Sequence, residues 1–86
     1  MDRLDGNAAG GMLEEVFPFE MTNAVATCAG CGLTDRIGAF MTYKHNMGMI
    51  VRCRVCDTPL IRLAHTKGRY WMDMRGTRVL QISESR

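Results

Sequence analysis

From Ala24 onward, short runs rich in β-branched and aromatic residues alternate with turn chemistry, a pattern that predicts antiparallel strands. Six runs qualify: 24–28, 37–43, 49–54, 60–65, 69–74 and 78–82. Lys44-His45-Asn46-Met47-Gly48 is placed to turn the second run into the third, Thr66-Lys67-Gly68 the fourth into the fifth, and Arg75-Gly76-Thr77 the fifth into the sixth. Before Ala24 the period changes. Over 5–17, Ala9, Met12, Leu13, Val16 and Phe17 recur at three- and four-residue steps, which predicts a short helix with Asp5 or Asn7 at its N-cap and Pro18 at its end. Gly10 and Gly11 each weaken such a helix by up to ~1 kcal/mol, so docking has to hold it. The expected organisation is an acidic leader with a short helix over 1–22, a β domain over 23–82 and a polar tail over 83–86.

A chain of 86 residues, 47% of them hydrophobic, is expected to hold one domain with a small core. At that size a core alone seldom gives more than ~3–5 kcal/mol, so a further staple is expected. The four cysteines supply one. No apolar run of signal-peptide length follows Met1 and no stretch has the length of a membrane span, so the expected setting is the reducing cytoplasm, away from the membrane. There, cysteine pairs at short spacing read as metal ligands in preference to disulfides.

Cys28-Ala29-Gly30-Cys31 and Cys53-Arg54-Val55-Cys56 form a C-x2-C, x21, C-x2-C pattern, one residue beyond the usual middle spacing of a zinc site. Two intervening residues let a tight turn aim both sulfurs at one ion about 2.3 Å away, so each pair supplies half a tetrahedron. Gly32 and Asp57 follow the pairs where a positive φ is needed, and both residue types tolerate it. The expected fold is therefore a small, mostly-β zinc ribbon of antiparallel strands and hairpins behind a short N-terminal helix. One structural Zn²⁺ on Cys28, Cys31, Cys53 and Cys56 leaves no position for an activated water, so no metal catalysis is expected. A rubredoxin-like FeS₄ centre uses the same four sulfurs and stays open as an alternative with an electron-transfer role. A disulfide, a redox dithiol and plain burial of the thiols are weaker readings.

The remaining chemistry is sparse. His45 and His65 lie outside ligand spacing and read as surface histidines; Met47-x-Met49 and Met72-x-Met74 suit Cu(I) by chemistry, but core filling by their methionines is the simpler reading. No nucleophile–base set, phosphate loop or paired carboxylate points to an enzyme. Residues 1–20 carry five acidic residues against Arg3, a net −4, and the remainder ten basic against four acidic, a net +6. Four thiolates with one dication add −2, which leaves the whole chain near neutral. The leader is expected to lie against the basic segment. Arg52 and Arg54 read as one face of the third strand with Arg62 beside them, and Tyr70 and Trp71 add aromatic surface on the fifth, Trp71 being equally suited to anchor the core. Basic and aromatic residues together make nucleic acid a possible partner; with so modest a charge, another protein is the leading one, docked on strand edges or the leader helix.

Leu4-Asp5-Gly6-Asn7-Ala8, Glu15-Val16-Phe17, the two cysteine pairs and Tyr70-Trp71-Met72-Asp73-Met74-Arg75-Gly76 resemble a family of short bacterial proteins, a zinc-ribbon domain of unknown function. The resemblance spans nearly the whole chain and implies a metal site at Cys28, Cys31, Cys53 and Cys56, with no activity attached. The second pair departs from many ribbons, which have Pro after the first cysteine and Gly after the second where this chain has Arg54 and Asp57.

Overall fold

A computed structural model describes residues 2–45 and 47–84. Its elements are β1 (Asp2–Asp5), α1 (Gly6–Leu13), β2 (Val25–Cys28), β3 (Thr34–Arg36), a 3₁₀ turn (Ile37–Ala39), β4 (Met41–His45), β5 (Gly48–Arg52), β6 (Pro59–Thr66), β7 (Arg69–Asp73) and β8 (Thr77–Gln81). All strand pairings are antiparallel. They build a five-stranded sheet in the order β1-β4-β5-β6-β7 and a three-stranded sheet in the order β3-β2-β8. The molecule is thus small and mostly β, with hairpins and one short N-terminal helix, as the periodicity predicts.

Side-chain alternation sorts the large sheet into an inner and an outer face. Thr42, Met49, Val51, Ile61 and Leu63 point inward and are buried, whereas Ile50, Arg52 and Arg62 point outward. A register shift between Val51 and Arg52 breaks this alternation at the end of β5, next to the point where the chain must leave the sheet for the second cysteine pair. Leu13 of α1, Met21, Ala26, Ile37 and Phe40 complete one core shared by both sheets and the helix. Thr66-Lys67-Gly68-Arg69 closes β6 onto β7 with positive φ at both central residues (50° and 76°), the turn whose twist matches that of the strands.

Several expectations need correction. The helix stops at Leu13, not at Pro18: Val16 and Phe17 N–H both donate to Leu13 C=O in a tightening turn, and the Glu14 carboxylate accepts the Met21 N–H at 3.2 Å. Residues 37–43 are not one strand. Ile37 and Gly38 N–H donate to Ala24 and Thr22 C=O, so the segment coils into a 3₁₀ turn that buries Ile37 before β4 begins. Two strands escaped the pattern, β1 because Asp2-Arg3-Leu4-Asp5 has no β-branched residue, and β3 because it is three residues long. Trp71 is 58% exposed and Phe40, at 1%, fills the core instead. Among the described residues the leader's glutamates make no ion pair with the basic segment; Glu20 accepts the Thr22 and Asn23 N–H groups, and Glu15 accepts the Tyr70 hydroxyl at 3.0 Å. The capping side chains expected at Asp5 and Asn7, and residues Asn46, Ser85 and Arg86, lie outside what the structure describes.

Candidate metal centre

The two cysteine pairs are local turns of the same construction. In the first, Cys28 N–H donates to Leu33 C=O (2.8 Å), Gly30 N–H to Cys28 Sγ (3.3 Å) and Gly32 N–H to Cys28 C=O (2.9 Å). In the second, Cys53 N–H donates to Thr58 C=O (2.9 Å), Val55 N–H to Cys53 Sγ (3.4 Å) and Asp57 N–H to Cys53 C=O (3.0 Å). Each turn ends on a left-handed residue, Gly32 at φ 83° and Asp57 at φ 65°, so the aspartate adopts the conformation that glycine usually supplies. The turn amides aim at the sulfurs and favour thiolates.

The first turn closes β2 of the small sheet and the second leaves β5 of the large one, so the sulfurs meet where the two sheets abut. All four Sγ atoms lie within 4.8 Å of one another, with Cys28 to Cys56 and Cys31 to Cys53 both at 3.6 Å. A tetrahedron with 2.3 Å Zn–S bonds has edges of about 3.8 Å, so four sulfurs at these separations suit one ion. Cys28 and Cys53 are buried; Cys31 and Cys56 are exposed, and all four are free thiols. Among the described residues this is the group of His, Cys, Asp and Glu side chains close enough to share an ion. His65 is not in it and stacks on Tyr70 with ring centroids 4.1 Å apart. Met49 is buried and Met72 and Met74 pack against the core, so these three serve packing, whereas Met47 is exposed.

Crowding of like groups sets the electrostatics. The Thr58 hydroxyl, 3.0 Å from Cys56 Sγ, and the Thr58 amide hold the Cys56 thiol down to about 6. At Cys31 the Leu33 N–H favours the thiolate, but desolvation and hydrogen bonds with Cys56, Cys53 and Cys28 outweigh it and push the thiol up to about 12. Four thiolates cannot gather here without a cation, and a soft divalent ion satisfies them together.

The chain belongs to DUF6510, a family of unknown function. The match covers residues 1–85, so DUF6510 takes in the leader and both cysteine turns. No curated protein and no solved structure matches the chain.

Around the DUF6510 cluster the structure adds residues that the cysteine spacing does not point to. Thr58 both closes the second turn through its C=O and bonds Cys56; the signal available was its position, matching Leu33 at the fifth residue after the first cysteine. Gly30 faces Thr58 so closely that a Cβ there would collide with the hydroxyl and come 3.3 Å from Cys56 Sγ. Arg54 is not on a strand face: β5 ends at Arg52, and Arg54 reaches from the second turn to Asp35 of β3 at 2.9 Å. Arg52 braces the same turn, donating to Asp57 C=O at 3.0 Å, with its carboxylate 3.7 Å away and the Tyr43 ring 6.0 Å beneath. The β7–β8 turn closes the base, Gly76 C=O accepting the Ala29 N–H (2.8 Å) and Thr77 Oγ1 donating to Leu60 C=O (2.9 Å).

Proposed function

We propose that the chain is a zinc ribbon in which one Zn²⁺ on Cys28, Cys31, Cys53 and Cys56 staples two small sheets into a non-enzymatic binding module. The observation that carries this reading is the convergence of four sulfurs within 4.8 Å from two matching turns on different sheets. Four protein sulfurs close the coordination sphere, so no water is activated and the ion's contribution is to folding; structural zinc in small domains binds with an apparent ~10–16 kcal/mol at neutral pH. No helix among the described residues is long and apolar enough to cross a membrane. What the module offers a macromolecular partner is sheet surface: the edges of β7 and β8 and the outer face of the large sheet.

Elemental analysis of natively purified protein tests the reading. It expects one zinc per chain and a colourless sample. A red sample with one iron would move the site to electron transfer, and protein without stoichiometric metal would overturn the reading altogether.

A further inference from the structure

We propose that the outer face of the β6–β7 hairpin binds single-stranded nucleic acid, one base stacking on the Trp71 indole and the flanking phosphates meeting Arg62 and Arg69. This rests on the reading of the chain as a metal-stapled binding module and names the partner's chemistry.

Register places the three side chains on one surface. Ala64 pairs with Trp71, Arg62 with Asp73 and Thr66 with Arg69, so Arg69 and Trp71 alternate onto the face that carries Arg62 and Ala64 on the neighbouring strand. Ile50 pairs with Arg62 and extends that face onto β5. Together Ile50, Arg62, Ala64, Trp71 and Asp73 line an open, mainly apolar groove of about 350 Å³. Arg69 stands two residues from Trp71, ~7 Å along the strand, and Arg62 lies on the diagonal at ~7–8 Å. Those spacings are comparable with one phosphate step of an extended single strand.

The indole has no structural task that explains its position. It is 58% exposed, the core is filled without it, and its neighbour Tyr70 is taken up by Glu15 and His65. Charge then selects the partner. Asp35, Asp57 and Asp73 are each held in an ion pair, with Arg54, Arg52 and Arg75. Of the cations without an ion pair among the described residues, Arg62, Lys67 and Arg69 belong to this one hairpin, whereas Arg36, Lys44 and Arg78 are spread over β3, β4 and β8. An exposed aromatic among uncompensated cations matches the stacking-plus-phosphate mode of single-strand recognition. A duplex keeps its bases stacked on each other, and this face presents no protruding helix or ribbon to a groove.

Trp71 is the only tryptophan in the chain, so its fluorescence reports on stacking directly. The experiment titrates zinc-loaded protein with a twelve-residue oligothymidylate, and follows variants by anisotropy of the fluorescein-labelled oligomer. Quenching is expected at 50 mM salt, with affinity falling roughly 7- to 18-fold by 200 mM, the range for two to three neutralised phosphates. Trp71→Ala should weaken binding roughly 5- to 150-fold and Trp71→Phe less. Arg62→Ala and Arg69→Ala should each flatten the salt slope by about 0.7. No quenching at low salt, equal affinity for the matching duplex, or equal displacement by an oligoglutamate would each overturn the proposal, the last in favour of an acidic peptide. Zinc content is measured on every sample. A zinc-replete protein that ignores the oligomer sinks this inference alone, while a metal-free one sinks the reading on which it rests.

Discussion

The Thr58 hydroxyl lies 3.0 Å from the Cys56 sulfur, on the exposed side of the cysteine cluster. Through that contact Thr58 sets how strongly protons compete with a metal for Cys56. Its hydroxyl and amide hold the thiol down to about 6, below the ordinary 9.0, so the thiolate is favoured and that advantage is lost as pH falls through about 6. Thr58→Val removes the hydroxyl and lets the proton bind at higher pH. The midpoint of acid-induced zinc release, followed with a chromogenic chelator, should rise by on the order of half a pH unit, with affinity at neutral pH about 10-fold weaker. An unchanged midpoint would show that the amide alone suffices.

Gly30 acts through the same threonine. A methyl at position 30 collides with the Thr58 hydroxyl, which must rotate away from Cys56. Gly30→Ala should therefore weaken zinc binding about 10-fold, the usual scale for groups that orient a ligand. In a Thr58→Ala background the obstacle is gone, so the double variant should bind zinc no more weakly than Thr58→Ala alone. Competition titration against a chelator of matched affinity reads the cycle, and strict additivity would place the effect of Gly30 elsewhere.

What the amino-acid pattern revealed and what it hid divide along the range of the interactions involved. The cysteine turns were legible down to the left-handed residues at Gly32 and Asp57, because a C-x2-C turn is determined within six residues. Alternation likewise located β5 to β8 to within two residues at their ends. β1 exists because the open edge of β4 accepts it, a long-range event that Asp2-Arg3-Leu4-Asp5 does not advertise. The placement of Arg54 beside Arg52 failed because the chain reverses at Cys53 and strand alternation ends there. That the tryptophan lies outside follows from which face of β7 meets the core, and that Phe40 lies inside follows from the 3₁₀ turn that it caps just before β4; no single run of residues encodes either.

Thr42 presents the opposite situation to Thr58. It is buried on the inner face of β4 opposite Val51, and its hydroxyl has no hydrogen-bond partner among the described residues. A buried hydroxyl left unsatisfied costs about 1–3 kcal/mol, and valine fills nearly the same space without it. Thr42→Val should stabilise the protein, raising the melting temperature by about 4–8 °C per kcal/mol recovered. Differential scanning calorimetry at constant zinc checks this, and a lower melting temperature would point to an ordered water bound to the hydroxyl.

The Arg54–Asp35 pair spans from the second cysteine turn to the small sheet, yet its side chains are 40% and 30% exposed. Solvent screening limits such a pair to about 0.2–1 kcal/mol. A double-mutant cycle with Arg54→Ala and Asp35→Ala should give a coupling inside that range that fades in 1 M salt, with zinc content unaffected. Coupling well above it would mean that the pair, and not the ion, is the principal tie between the sheets.

If the ion is that tie, removing it should undo the small sheet first. The strands of that sheet are three to five residues long, and near the cluster the Thr77–Leu60 hydrogen bond joins it to the large sheet. Without the ion the four sulfurs retain their mutual crowding and lose what offsets it, so the turns that end β2 and β5 are driven apart. Chelation, or Cys53→Ser, should remove most of the dispersed amide signals, and hydrogen exchange under partial chelation should release the amides of β2, β3 and β8 before those of β5 and β6. A chelated protein that keeps its full spectrum at 25 °C would mean that the shared core around Phe40, Ile61 and Leu63 holds both sheets without metal.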